Sequence, residues 1–561
     1  MSRAQSPLAG AAPVPSVDSA TTWIVLFSFL AVSLAGVLLR PALPVDETRY
    51  LAVAWEMHLS GDWLVPTKNF AVYSDKPPLL FWAINLVWSL TGVSDTAARM
   101  VGPGFAAIAL WLTGRLARAL WPEDAGIGVR ATLALVALPL FAVMGGLTMF
   151  DAALTVSVLA GLLGLVGAGH GDRRGPWVFG AALAFGVLVK GPVVLLHLLP
   201  AAASLTIWHP ARPGWRQTLA SLGLGLTTGL VLVLLWLVPA AIHGGPEYRR
   251  AILWTQSAGR VADSFAHARP WWFFAVRLPL IALPWVAVPR LWSAARHTAW
   301  SEGGLRLCLI WGVGALIAFS LISGKQLHYL FPELPVIALV VARLAGKAPV
   351  SLRPVALPFA LVAVGAFLVG CGLIPADPKI AGLRPPSALI AIASTFAVVV
   401  WAATGAPGLE RLRAKRASAR VNKMRRFLSA MKHGNALAGG AMLSLVLTLC
   451  ADLVYSATDL GERYDSAPIA KAIIGHEPQG IAWVGDAYSA EFNFAGRLTR
   501  PVALPGTAEL PAWIAAHPGG AIVGPESRVA PGWAPELRIP FLNKAYAIWI
   551  VPDRPKAETA P

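Results

Sequence analysis

Residues 44–80 hold the densest set of reactive side chains in this sequence. Asp46-Glu47-Thr48-Arg49-Tyr50 is followed by Tyr73-Ser74-Asp75-Lys76-Pro77-Pro78, a charged and aromatic island between two apolar stretches. Further along stand Asp151 after Phe150, Lys190 before Gly191-Pro192, Gln256 and Arg260 in a short polar run, and Lys325 with His328 and Tyr329. Carboxylates beside lysine and arginine suit a phosphate-bearing anion, which Arg can grip bidentately. An Asp in such a setting can take a proton from an acceptor hydroxyl or face an oxocarbenium-like transition state. The cations would hold charge developing on a departing phosphate.

Each group also has an ordinary structural role. Asp46 can cap the helical pattern that runs through Tyr50 and Trp55. Lys76 can snorkel beside the double proline. Asp151 can cap a helix or pair with Lys190. Arg260 can be a surface residue, and Lys325, His328 and Tyr329 can be interfacial anchors. None decides alone; agreement on one side of a membrane is the stronger signal.

The elements that must position these groups are membrane helices. The chain has 561 residues, 56% hydrophobic and 13% charged, where a soluble domain has about 25% charged. Candidate spans fall near 22–39, 98–120, 130–148, 151–168, 176–189, 191–208, 217–241, 271–290, 305–322, 328–346, 353–374, 385–404 and 435–455, about thirteen helices. The two runs either side of Lys190 are short for spans. Pro77, Pro78, Asn85 and the tryptophans make 77–92 an interfacial helix. The first run reads as a retained anchor behind a cytoplasmic tail, residues 1–21.

Lys and Arg concentrate on the cytoplasmic side of membrane proteins. With the N-terminus inside, Arg115, Arg118, Arg130, Arg173, Arg174, Arg343 and Lys347 fall in cytoplasmic loops, as does the basic segment 405–434, expected as a surface helix on anionic lipid. Asp46, Glu47, Arg49, Asp75, Lys76, Asp151, Lys190, Arg260 and Lys325 then all fall outside. Ionisable residues at span ends are commonly paired or functional. The remainder, 456–561, also lies outside. Its short apolar runs 481–484, 501–504, 521–524 and 546–551, separated by Gly, Pro and charges, read as a small α/β domain. The expected layout is a transmembrane domain over 22–455, with interfacial helices in 40–97, and an outside α/β domain over 456–561.

The net charge of +17 follows from those loops; with no single basic face, it does not indicate nucleic acid. Cys308, Cys371 and Cys450 lie in apolar spans and imply no disulfide framework. There is no Walker-type glycine loop, G-x-S-x-G elbow or zinc-spaced Cys/His set. A divalent metal on carboxylate oxygens or on His243, His267 or His328 is left open. A polyprenyl-lipid flippase would need charges at mid-membrane and often inverted repeats; here the charges gather at one face. A non-catalytic envelope scaffold would need a closed bundle.

Asp46 to Tyr50, Ser60-Gly61-Asp62-Trp63-Leu64-Val65-Pro66 and Tyr73 to Pro78 resemble the first outer loop of the lipid A aminoarabinose transferases, relatives of the protein O-mannosyltransferases in the GT-C superfamily. Asp151, Lys190-Gly191, Gly259-Arg260 and Ser323 to Pro332 resemble later landmarks of that family. The likeness covers roughly residues 22–345. It implies a polytopic α-helical enzyme of the bacterial inner membrane, with a periplasmic site and C-terminal domain. It also implies inverting transfer of a hexosyl or pentosyl group from a polyprenyl-phosphate donor to a lipid or glycolipid acceptor. Asp46 would be the leading catalytic carboxylate, supported by Asp151. Lys76, Arg260 and Lys325 would bind phosphate, with Tyr73 and Tyr329 lining the site and Glu47, Arg49, Tyr50, Asp75, Lys190, Gln256 and His328 around them. Asp75 stands where the family usually has Glu, and Thr255 and Gln256 stand where acidic, His or Asn residues are common. The sugar therefore stays open, and protein O-glycosylation is the alternative activity.

Overall fold

The computed structural model describes residues 17–253, 268–348, 350–375, 377, 382–404, 421–529 and 531–553. Among these, ten helices are long and apolar enough to cross a bilayer. An eleventh crossing results if Ile127–Val136 and Pro139–Gly145, bent by 74°, form one span. The bend falls where Pro139 cannot donate a backbone N–H into a continuing helix.

The sequence reading expects about thirteen, and two places account for the difference. Residues 176–189 and 191–208 are not two spans. They form one crossing, Gly175–Ala203, interrupted by a 3-10 turn at Gly191–Val193. The stretch 271–290 is not a span either. Its helix, Phe273–Ile281, has only nine residues, contains Pro279, and gives way to a 3-10 turn at Trp285–Ala287. Nine residues reach about 14 Å at 1.5 Å each, roughly half a hydrocarbon core. In the basic segment, residues 405–420 lie outside the described residues, and Val421–Ala457 is one helix that runs into the last span.

The helix Trp215–His243 shows how the spans meet lipid. It exposes Leu219, Leu226, Leu230, Leu235 and Ile242. In a membrane-spanning chain this outward apolar face belongs in hydrocarbon, where backbone groups are satisfied inside the helix.

Three elements build the loop after the first span, α1 (Val17–Leu39). First comes α2 (Asp46–Ser60), with Asp46 and Glu47 in its first turn, where carboxylates suit the positive helix end. It buries Glu47, Tyr50, Leu51, Ala54 and Met57 on one face and Ala52, Val53 and Glu56 on another, where Ala52 meets the C-terminal unit. It stops at Gly61, whose φ of 68° is left-handed and whose N–H caps the Met57 carbonyl. A hairpin of β1 (Thr67–Lys68) and β2 (Ala71–Val72) follows, turning through Asn69 and Phe70 with positive φ. Then α3 (Leu79–Thr91) buries Leu80, Phe81, Ile84, Asn85 and Trp88, while Leu86 and Leu90 are exposed. At thirteen residues it is about 20 Å long, too short to cross and suited to the interface.

The C-terminal α/β unit holds a four-stranded sheet in the order β3 (Ile481–Trp483), β4 (Ala521–Pro525), β6 (Lys544–Ile550), β5 (Leu537–Phe541). β3 and β4 are parallel, and the helix Leu510–Ala516 lies in the connection that a parallel pair requires. Residues 501–504, read as a strand, make only an isolated bridge from Ala503 to Ala482. The edge strand β5 escapes the sequence reading because Arg538 and Pro540 interrupt its apolar pattern; an edge tolerates that proline. Leu542 and Asn543, both with positive φ, turn β5 into β6.

Candidate active site

Asp46 opens the site. Its Oδ1 accepts a hydrogen bond from the Tyr50 hydroxyl at 3.0 Å and ion-pairs with Arg49. The carboxylate side chain is 43% exposed, so it is open to an incoming molecule. Val45, not Asp46, is the cap residue of α2, so the capping role offered by the sequence is not the one Asp46 plays. Burial, and then the neighbouring Asp46 carboxylate, push the Tyr50 hydroxyl well above its ordinary pKa, so Tyr50 stays a donor.

The second carboxylate comes from the helix Phe150–Gly169. Asp151 Oδ1 sits 2.7 Å from Lys190 Nζ, with the Asp side chain only 5% exposed. The pairing available to Lys190 on sequence grounds is therefore present. Lys190 reaches it because its helix ends there, at Gly191 with φ 75°. The same ammonium lies 5.0 Å from the Tyr329 ring centre, and Lys76 Nζ lies 6.0 Å from the Phe150 ring. His328 packs edge-on against Tyr329, with ring centres 5.0 Å apart. Tyr50 packs edge-on against Phe150 at 4.8 Å, and Tyr73 against Phe81 at 6.3 Å. Asp75 and Lys76 are half-buried in the turn before α3. Residues from five elements thus meet: Asp46, Arg49, Tyr50, Lys76, Asp151, Lys190, His328 and Tyr329.

One expected position needs correction, Lys325 lines a cleft, and two positions lie outside the described residues. Glu47 is not presented to the site. Its carboxylate takes Arg40 at 2.5 Å and the backbone N–H groups of Leu43 at 3.0 Å and Thr148 at 2.9 Å, and its side chain is 1% exposed. Burial alone would raise its pKa; the Arg40 and Arg99 guanidiniums outweigh this and hold it at about 2. Glu47 is thus an internal tie between α1, α2 and the loop before Asp151. Lys325 is buried with its ammonium on the Arg269, Ile322 and Ser323 carbonyls, in a cleft lined by Arg269, Trp272, Phe273, Arg277 and Leu327. Gln256 and Arg260 lie outside the described residues.

Sequence reasoning missed Glu56. Its carboxylate accepts from the Asn69 N–H at 2.7 Å, the Phe70 N–H at 2.8 Å and Asn493 Nδ2 at 3.1 Å. Asn69 in turn exchanges two 2.8 Å bonds with the Val502 backbone. One buried acid thus joins α2, the hairpin turn and the C-terminal unit. The available signal was an acid on the apolar face of a helix, which has to be satisfied by donors. Glu56→Ala is expected to leave these buried donors unmet, at about 1–3 kcal/mol, with Glu56→Gln losing less. A thermal melt in detergent checks the order.

Among the described residues, no three His, Cys, Asp or Glu side chains gather as a metal-ligand group. Asp46 and Asp151 are each engaged by a cation of the chain itself.

Residues 75–238 match the Dolichyl-phosphate-mannose-protein mannosyltransferase family. The chain is 30% identical over 307 residues to undecaprenyl phosphate-alpha-4-amino-4-deoxy-L-arabinose arabinosyl transferase 2 of Pseudomonas fluorescens, covering 53% of this chain and 54% of that protein. It is 28% identical over 362 residues to transferase 1 of the same organism, 62% of each chain. It thus spans less than two thirds of the length of these relatives. The crystal structure of ArnT from Cupriavidus metallidurans bound to undecaprenyl phosphate superposes with a TM-score of 0.73 at 20% identity, covering 94% of this chain and 98% of that one. By sequence the chain is similar to the aminoarabinose transferases over about half of its length, and by fold it is a polytopic helical membrane protein like that ArnT structure, with a small C-terminal α/β unit.

Proposed function

We propose that this chain is a glycosyltransferase of the bacterial inner membrane. It moves a sugar from a polyprenyl-phosphate donor to lipid A or lipopolysaccharide at the periplasmic face. The observation that carries this reading is the open Asp46 carboxylate beside a closed Asp151–Lys190 pair and Lys76, where several helices end next to an interfacial one. The similarity to undecaprenyl phosphate-dependent arabinosyl transferases supports the donor class. The excess of Lys and Arg in the opposite loops supports a periplasmic site. On this reading the layout is a cytoplasmic tail to residue 21, the transferase domain over 22–455 and a periplasmic domain over 456–561.

The reaction is a single displacement. An acceptor oxygen attacks the anomeric carbon, the bond from that carbon to the donor phosphate breaks, and polyprenyl phosphate leaves with its electron pair. The configuration inverts. Lys76, with Arg260 from outside the described residues, receives the leaving phosphate. Lys190 is held by Asp151 and adds positive field from behind. A phosphate acceptor is already ionised, so Asp46 orients it through Arg49 and Tyr50; a hydroxyl acceptor would give Asp46 its proton. A metal, if bound, would add further positive charge at the leaving phosphate.

Mass spectrometry of envelope lipids from cells with and without the gene tests the reading. A sugar-sized mass difference on lipid A supports it. A difference confined to glycoproteins points to protein O-glycosylation, and donor movement across proteoliposomes without bond cleavage to a flippase. Lys76→Ala is expected to weaken donor use about ten- to a hundredfold, the loss of one charge-assisted phosphate contact of roughly 1.5–3 kcal/mol. Initial rates against donor concentration check it.

A further inference from the structure

Asp151 and Lys190 meet because the helices Phe150–Gly169 and Gly175–Lys190 pack together, and the segment Leu327–Glu333 packs on the first of them. Lys190 stands at the break after the helix Gly175–Lys190, before the helix Val194–Ala203. His328 and Tyr329 lie on the 3-10 segment Leu327–Glu333, which contains Pro332. Such a segment has poorer hydrogen-bond geometry than an α-helix and relies on its surroundings. Phe331 is held by stacking on Phe141 at 5.2 Å.

The polar tie is at its end. Glu333 Oε1 lies 2.5 Å from His197 Nδ1, both side chains buried, across 136 residues of sequence. His197 belongs to the helix that resumes after Lys190, and its ring packs on Phe319 at 4.9 Å. Among the described residues, His197 Nε2 and Glu333 Oε2 are buried without another hydrogen-bond partner. The two groups therefore rely on each other, and sliding one segment would leave both unsatisfied in apolar surroundings. The pair is close to the site. Tyr329 precedes Glu333 by four residues, about 8 Å of 3-10 rise. Lys190 precedes His197 by seven, about 10 Å of helical rise.

We propose that the buried His197–Glu333 pair is a positioning element of the site, locking Leu327–Glu333 against Val194–Ala203 so that Lys190 faces both Tyr329 and Asp151. The activity arm of its test rests on the transferase reading; the structural arm does not. In the full chain in nanodiscs, Lys190 labelling by an amine-reactive reagent is followed by peptide mass spectrometry, alongside kcat and KM for the donor. Glu333→Leu removes the bond, Glu333→Asp keeps the charge but shortens the reach, and Glu333→Gln keeps the bond without the charge. Leu and Asp are expected to speed Lys190 labelling and to lower kcat/KM by about tenfold, as misplaced site groups do. Gln is expected to stay near wild type in both. Unchanged labelling in Leu and Asp overturns the proposal, as does a Gln variant impaired while Asp is not. If Leu fails to insert, the Asp–Gln contrast decides. If wild type transfers no sugar, the transferase reading fails, and labelling still decides the positioning role.

Discussion

Asp46→Asn is expected to lower sugar transfer by about 10²–10⁴-fold, the range of a lost acid–base or orienting group, while insertion and melting stay near wild type. The amide keeps an oxygen where Asp46 Oδ1 accepts from Tyr50 at 3.0 Å, so the local frame survives and the charge goes. Stability should change little: the Asp46 side chain is 43% exposed, and an exposed pair with arginine contributes about 0–1 kcal/mol. Side-by-side assay of transfer and thermal melting separates the two effects. Wild-type transfer by the Asn variant would remove Asp46 from the chemistry.

Glu47→Ala should show the reverse pattern, a loss of folded protein that precedes any statement about rate. The substitution strips Arg40 of its nearest carboxylate inside the protein, with Asp452 at 3.3 Å left as its remaining acid. Removing one partner of a buried pair costs about 3–5 kcal/mol. Denaturation of purified protein in mild detergent measures it; a melting midpoint within error of wild type would show that the network is dispensable. The pH dependence follows from the direction of the shift. Glu47 sits at about 2 in the fold against an ordinary 4.5, so its contribution is complete above about pH 4.5 and is lost as the pH falls toward 2. Glu47→Gln should flatten that acid limb.

Asp46 and Glu47 are neighbours in sequence, yet one faces the site and the other is walled in. Nothing in the pair distinguishes them until α2 is placed, because adjacent helical residues point about 100° apart and the burying face is set by α1 and the Asp151 loop. The Lys190–Asp151 pair was more legible: a lysine between two apolar runs needs a carboxylate, and few lie on the same side. Asp46, Tyr50 and Lys76 announced themselves by type and crowding. The carbonyl partners of Lys325 could not be read in advance, since no sequence pattern displays which backbone oxygens will surround an ammonium. Glu56 and the His197–Glu333 pair were hidden because each depends on a partner more than 100 residues away. The span count failed at Pro279 and Gly191, where hydropathy continues although the helix does not.

Trp88 stacks on Phe494 at 5.4 Å, and Trp55 donates to the Leu498 carbonyl at 2.9 Å. These contacts join the loop after the first span to a segment about 400 residues later in synthesis. While the spans are being inserted, α2 and the hairpin have no such lid, and Glu56 has no Asn493 to complete its donors. Closing so long a loop is entropically slow and waits on the whole intervening chain. The site is therefore expected to assemble in two stages, its membrane half first and its C-terminal support last. A nascent chain released before residue 490 would hold the charged groups of the site without the clamp that aligns them.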